Sequence, residues 1–168
     1  MEKAFFIFIS LILFASLMFC CQPKDYDKML ESLYSHTVPL IGTDELAGKI
    51  AKGENVVLLD IRSEKEYSVS HIRDARLIQY DDFSRDDVHD IPTGAQVVVY
   101  CSVGYRSEKV GEQLQKFGFI NVKNLYGGIF QWKNDGFEVV GNRSIPTDSV
   151  HTYSRKWSKW LKNGVKVY

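Results

Sequence analysis

The chain has 168 residues, enough for one domain and not comfortably enough for two. Hydrophobic residues make up 45% and charged residues 25%, the balance of an ordinary globular protein. Its 21 basic and 21 acidic side chains cancel, which argues against a nucleic-acid binder: such a protein needs a basic excess to displace counterions from phosphates. The cysteines are Cys20, Cys21 and Cys101. Two lie at the end of an apolar run and one lies alone in the globular part. That part therefore has no internal disulfide, no CxxC redox pair and no four-ligand zinc set, and neither a metal nor an organic cofactor is expected.

Ala4 to Cys21 form a run of 18 apolar or small residues without a charge, preceded only by Met1, Glu2 and Lys3. Gln22, Pro23, Lys24 and Asp25 end it abruptly. A buried core helix is the weakest reading, because a run hydrophobic on all sides finds nothing to bury against in a domain this small. The length sits at the lower edge for a transmembrane helix and exceeds the usual apolar core of a secretory signal. The cysteine pair at the boundary resembles the signal of a bacterial lipoprotein, in which such a cysteine becomes the lipidated first residue. Leu17 stands three residues before Cys20, but Phe19 precedes it directly; Cys21 has Cys20 before it and Met18 at the earlier position. The expectation is a 1–21 anchor or signal, lipidated at Cys20 or Cys21, on an exported, membrane-anchored chain facing a bacterial periplasm. Residues 22–37 would be a tether with a helical piece at Tyr26–Tyr34.

From 38 to 141 the pattern alternates. Val38–Ile41 is a short apolar segment. Thr43 is a plausible N-cap for a helix Asp44–Lys52 that stops at Gly53. Val56–Ile61 reads as a strand buried on both faces. Ser63 and Glu66 make a capping box for a short helix. Leu77–Gln79 is a short strand and Val97–Tyr100 a second buried one. Ser107–Phe117 is a helix with Val110, Leu114 and Phe117 on one face and Gly118 after its end. Val122–Tyr126 is a strand, Gly127–Gly128 a turn and Ile129–Asn134 a short helix. Strands separated by helices imply an α/β fold with a parallel sheet and helices on both faces. Ligands of such sheets sit outside the carboxyl ends of the strands, here after Asp60 and after Tyr100.

Cys101 follows a buried strand directly and precedes a helix. The loop Cys101-Ser102-Val103-Gly104-Tyr105-Arg106 is short, with Gly104 to let the backbone curl. Such a loop turns successive N–H groups inward as an anion cradle. The helix dipole and the Arg106 charge act at the same spot, and all three favour thiolate over thiol.

This loop resembles the active-site loop of the rhodanese family, which has six residues, begins with cysteine and often ends in arginine. The flanks agree. Residues 58–75 resemble the family's first motif through Asp60, Arg62, Glu66, Tyr67, His71, Ile72 and Ala75, with Ser70 and Arg73–Asp74 in place of the usual glycine and Pro-Gly. Residues 124–140 resemble the closing motif through Leu125, Gly127, Gly128 and Trp132. The resemblance implies a five-stranded parallel sheet and a thiosulfate sulfurtransferase-like activity. A small sulfur anion, thiosulfate or a persulfide, would give its outer sulfur to Cys101, the nucleophile; cyanide or a thiol would then accept it. The N–H groups of Ser102, Val103, Gly104, Tyr105 and Arg106 would hold the anion and the Arg106 side chain would attract the donor. Asp60 and Arg62 would brace the loops as a buried ion pair, and His71 would be a structural, hydrogen-bonding histidine.

Three other functions compete. A cysteine phosphatase or arsenate reductase places five residues between cysteine and arginine, whereas four stand here, so the cradle is smaller. A persulfide carrier without turnover would keep the same loop. A thiol oxidoreductase would need a resolving thiol from outside. Residues 142–168 form a basic extension, which from Ser144 to Tyr168 carries Arg155, Lys156, Lys159, Lys162 and Lys166 against the single Asp148. Trp157, Trp160 and Leu161 lie at helical spacing among them, predicting a helix that either touches anionic lipid or docks its tryptophans on the domain.

Overall fold

The computed structural model describes residues 24–168; the apolar run, with Cys20 and Cys21, lies outside them. The chain divides into two compact units, Met1–Ser32 and Leu33–Tyr168. The described part of the first belongs to helix α1 (Lys24–Leu33), whose first turn carries Asp25 and Asp27, favourable at the positive end of a helix dipole. Among the described residues no helix is long and apolar enough to cross a membrane.

The second unit is built on five strands, β1 (Leu40–Ile41), β2 (Val56–Asp60), β3 (Arg76–Leu77), β4 (Gln96–Tyr100) and β5 (Val122–Leu125). Their order is β1-β5-β4-β2-β3, and every neighbouring pair is parallel. The central pair sets Leu59 beside Val99 and Asp60 beside Tyr100. Val97 to Tyr100 are all buried, which is why this strand reads as an unbroken apolar run rather than an alternating one. The core collects Leu59, Ile61, Val97, Val99, Val110 and Leu114 around the sheet, with Cys101 at its margin.

Four helices connect or follow the strands: α2 (Thr43–Ala51), α3 (Glu64–Val69), α4 (Tyr105–Lys116) and α5 (Gly128–Asn134). The path runs outward from β1 through β2 to β3, then reverses through β4 to β5. Right-handed crossovers therefore put α2 and α3 on one face and α4 on the other. The loops leaving β2 and β4 diverge to opposite faces, and a crevice opens between them at the carboxyl end of the sheet. Cys101 lies at this end of the sheet, and Asp60, the last residue of β2, is fully buried there.

Some boundaries differ from the expected ones for local reasons. Gly42, not Thr43, caps α2, and the Thr43 hydroxyl instead donates to Asp135 at 2.6 Å. The third strand is Arg76–Leu77 rather than Leu77–Gln79. Helix α4 starts at Tyr105 rather than Ser107, because Gly104 takes the left-handed φ of 99° and turns the chain early. Arg106 thus lies in the first turn of the helix.

The C-terminal segment departs most. It forms an antiparallel pair, β6 (Val139–Val140) with β7 (Pro146–Thr147), and a parallel pair, β8 (Ser149–His151) with β9 (Val165–Val167). The expected tryptophan helix is reduced to one short turn, Ser158–Trp160. Asn134 explains why: its side chain donates to the Trp160 carbonyl at 3.0 Å and accepts the Lys162 and Asn163 N–H groups at 2.6 and 3.1 Å. These tertiary bonds take the backbone groups that a continuing helix would use. Leu161 is buried as a result.

Candidate active site

Cys101 directly follows β4 and is only 1% exposed. The geometry of its loop follows from where four carbonyl groups go. The Cys101 carbonyl accepts Ile129 N–H at 2.9 Å, and that of Ser102 accepts Phe130 N–H at 3.2 Å. The Val103 carbonyl accepts the Tyr34 hydroxyl at 2.6 Å. The Gly104 carbonyl accepts the Asn124 amide at 2.9 Å and Glu108 N–H at 3.1 Å. In a trans peptide the carbonyl and the following N–H point in opposite directions. Anchoring four carbonyls outward therefore turns the N–H groups of Ser102 to Tyr105 to the inner side of the loop. Gly104 N–H donates to Cys101 Sγ at 3.2 Å.

Two glycines make this packing possible. Gly104 faces the Tyr34 ring so closely that a Cβ would overlap the phenol. Gly128, at a φ of 57°, would drive a Cβ into the Cys101 carbonyl oxygen. Tyr34 is the bolt between them: its hydroxyl donates to Val103 O and accepts Gly127 N–H at 2.9 Å. Glu108 holds the segment that precedes β1, accepting Ser35 and Thr37 N–H at 2.8 and 3.0 Å. Burial raises the Tyr34 phenol far above its usual range, so it stays protonated as a donor.

The loop's cation is not isolated. Arg106 makes a two-pronged contact with Glu66, at 2.8 and 3.1 Å, and also donates to Ser102 Oγ at 3.2 Å. Ser102 Oγ donates to Glu66 at 2.9 Å, and Ser63 closes the capping box through its N–H and hydroxyl. Burial alone would raise the Glu66 carboxyl, but the Arg106 bonds and charge, the Ser63 N–H and the Arg62 charge outweigh it and bring it to about 2. Glu66 is ionised, buried and fully hydrogen-bonded. The Arg106 guanidinium lies 5.3 Å from the centre of the Tyr153 ring, a cation–π distance.

Asp60 and Arg62 form an ion pair at 2.6 Å with both side chains fully buried. Arg62 also donates to the Ser70 carbonyl at 2.6 Å, tying the two ends of α3 together. His71 pairs with Val140 through the backbone, stacks on Tyr67 at 3.8 Å and sets Nδ1 3.0 Å from the Tyr67 carbonyl. Asp60, Arg62 and His71 thus lie in the frame around the loop.

Above Cys101 opens a cavity of about 790 Å³. Its walls include Tyr80, Tyr105, Arg106, His151, Tyr153 and Trp157. Reading of the sequence did not place Tyr34, His151, Tyr153 or Trp157 at the site, since nothing in their local pattern marks them. Glu66 was legible as a helix cap, and its second role toward Arg106 was not.

The rhodanese-like domain model matches residues 43–135 of the chain. A sulfurtransferase from Allochromatium vinosum is 33% identical over 100 residues, covering 60% of this chain and 92% of its own length. A tRNA uridine(34) hydroxylase from Oceanobacillus iheyensis is 39% identical over 95 residues, and there the chain spans only 29% of the relative. The crystal structure of a rhodanese-like domain protein from Staphylococcus aureus superposes with a TM-score of 0.53 at 32% identity, covering 58% of this chain and 94% of that one.

Proposed function

The chain belongs to the rhodanese-like domain family, and from that premise we propose that it is a sulfurtransferase working through a persulfide on Cys101. The Cys101 thiolate attacks the outer sulfur of thiosulfate or of another persulfide. The donor's S–S bond breaks, and its inner sulfur leaves with the electron pair, as sulfite or a thiolate. An acceptor, cyanide or a thiol, then attacks the outer sulfur of Cys101 and restores the thiolate. One observation carries the reading: Gly104 N–H on Cys101 Sγ, inside a loop whose carbonyls from Cys101 to Gly104 are each hydrogen-bonded. Such a loop offers hydrogen bonds to a thiolate and to the terminal sulfur of a persulfide with little reorganisation. The Arg106 charge is shared with Glu66, so attraction of the donor falls chiefly to the backbone N–H groups.

The N-terminal run would tether this activity to a membrane, with Cys20 or Cys21 lipidated and the domain exported. Labelling of cells with a fatty-acid probe checks this: signal lost in the double variant Cys20→Ala/Cys21→Ala supports the anchor, and signal absent from the unaltered chain removes it.

The enzymatic reading is tested on the full chain in detergent. Treatment with thiosulfate should add the mass of one sulfur atom, lost in Cys101→Ser, and cyanide should remove it with thiocyanate released. Sulfur loading without thiocyanate turnover would make the chain a carrier. No mass gain would overturn the proposal.

A further inference from the structure

Three residues that line the Cys101 cavity, His151, Tyr153 and Trp157, come from the C-terminal extension, beyond residues 43–135 matched by the family model. The extension is held there by several independent contacts. Lys133 Nζ donates to Asp148 at 2.7 Å, Asn134 bonds the backbone of Trp160, Lys162 and Asn163, and Lys65 Nζ donates to Tyr168 O at 3.2 Å; within the extension β8 pairs with β9. Tyr153 takes a left-handed φ of 61°, and its ring meets the Arg106 guanidinium. Trp157 lines the same cavity.

The size of the cavity is the second observation. About 790 Å³ lies within the range of roughly 300–1,000 Å³ typical of sites for organic ligands, and is many times what one inorganic anion fills. The third is a buried polar atom. His151 Nδ1 accepts Tyr153 N–H at 3.1 Å, so the neutral ring carries its proton on Nε2. Burial holds this ring below its usual pKa and hence neutral near pH 7. Nε2 is buried without a protein partner. His151 is among the residues that line the cavity, and its buried Nε2 donor lacks an acceptor.

We propose that the extension is a substrate-selecting wall: Tyr153, Trp157 and His151 receive the organic body of a low-molecular-weight persulfide, whose outer sulfur reaches Cys101. This rests on the sulfurtransferase reading and names its substrate class. The aromatic faces pack on the carbon skeleton, and His151 Nε2–H donates to a carboxylate or amide of that body. Transfer balances without a redox partner. The Cys101 thiolate attacks the outer sulfur of R–S–SH, a new S–S bond forms, the old one breaks, and R–S⁻ leaves.

The experiment compares two donors, glutathione persulfide and thiosulfate, with cyanide as common acceptor and the full chain in detergent. The expected kcat/KM favours glutathione persulfide by about tenfold or more, and the preference shrinks by about tenfold in Trp157→Ala and Tyr153→Ala. Tyr153→Phe, which keeps the ring, should retain it. Circular dichroism and sulfur loading by excess thiosulfate certify that each variant is folded. Equal use of both donors, or a preference unmoved by either alanine, overturns the wall while leaving the sulfurtransferase intact. Failure of both donors to load Cys101 overturns the underlying reading as well.

Discussion

Arg106 and Glu66 face each other through two hydrogen bonds, at 2.8 and 3.1 Å, with Glu66 fully enclosed and Arg106 mostly so. This pair joins the start of α4 to α3 across the mouth of the crevice. Ser102 Oγ bridges the two residues, so the active-site loop is fastened to both. Burial would lower the Arg106 guanidinium, but the Cys101 and Glu66 charges hold it up, and it remains a cation at any working pH.

Removing the Glu66 charge should loosen the loop. Glu66→Gln keeps the shape but leaves Arg106 without its counter-ion and Ser102 with a weaker acceptor. The expected cost is about 3 kcal/mol of unfolding free energy, the scale of a broken buried pair. Urea denaturation of the unaltered chain and the variant measures it. A variant as stable as its parent would show that the pair carries no net weight.

Acid should act through the same carboxylate. Its folded pKa of about 2 lies below the ordinary value of 4.5, so the unfolded chain takes up the proton first as pH falls. The stability it contributes is full above about pH 4.5 and is lost as pH drops toward 2, a total on the order of 3 kcal/mol. Glu66→Gln should flatten that part of the stability curve. Parallel acid profiles of the two proteins would contradict the assignment.

Tyr34→Phe deletes one hydroxyl that serves two backbone groups, Val103 O and Gly127 N–H. Both groups are buried, so the loss should be about 1–3 kcal/mol. Hydrogen exchange at the Gly127 amide should quicken by at least the matching factor, and sulfur loading of Cys101 should slow. Unchanged exchange would remove Tyr34 as the bolt of the loop.

Gly128→Ala tests the floor. The added methyl meets the Cys101 carbonyl oxygen in a conformation that side chains rarely adopt. The variant should lose about 1–3 kcal/mol and much of its sulfur loading. Gly53→Ala is the control, because that position is also left-handed, at a φ of 68°, but opens onto empty space. It should lose stability without losing sulfur loading.

Much of this was legible from the sequence by itself. The apolar runs Val56–Ile61 and Val97–Tyr100, spaced by helical stretches, determined a parallel sheet, because only strands covered on both faces read so uniformly. The Cys101–Arg106 loop lies between a strand and a helix in the linear pattern, so its position at the sheet's carboxyl end was a local consequence. Glu66 was visible as a cap because capping boxes act over three residues. Only the tertiary structure decided the rest. Tyr34 reaches Val103 across 69 residues, and Tyr153 reaches Arg106 from the far end of the chain. The helical spacing of Trp157, Trp160 and Leu161 was overruled by Asn134, which takes three of that segment's backbone groups. Local pattern records which groups must be buried or paired; it does not record which distant group will meet them, since that choice belongs to the packing of the whole chain.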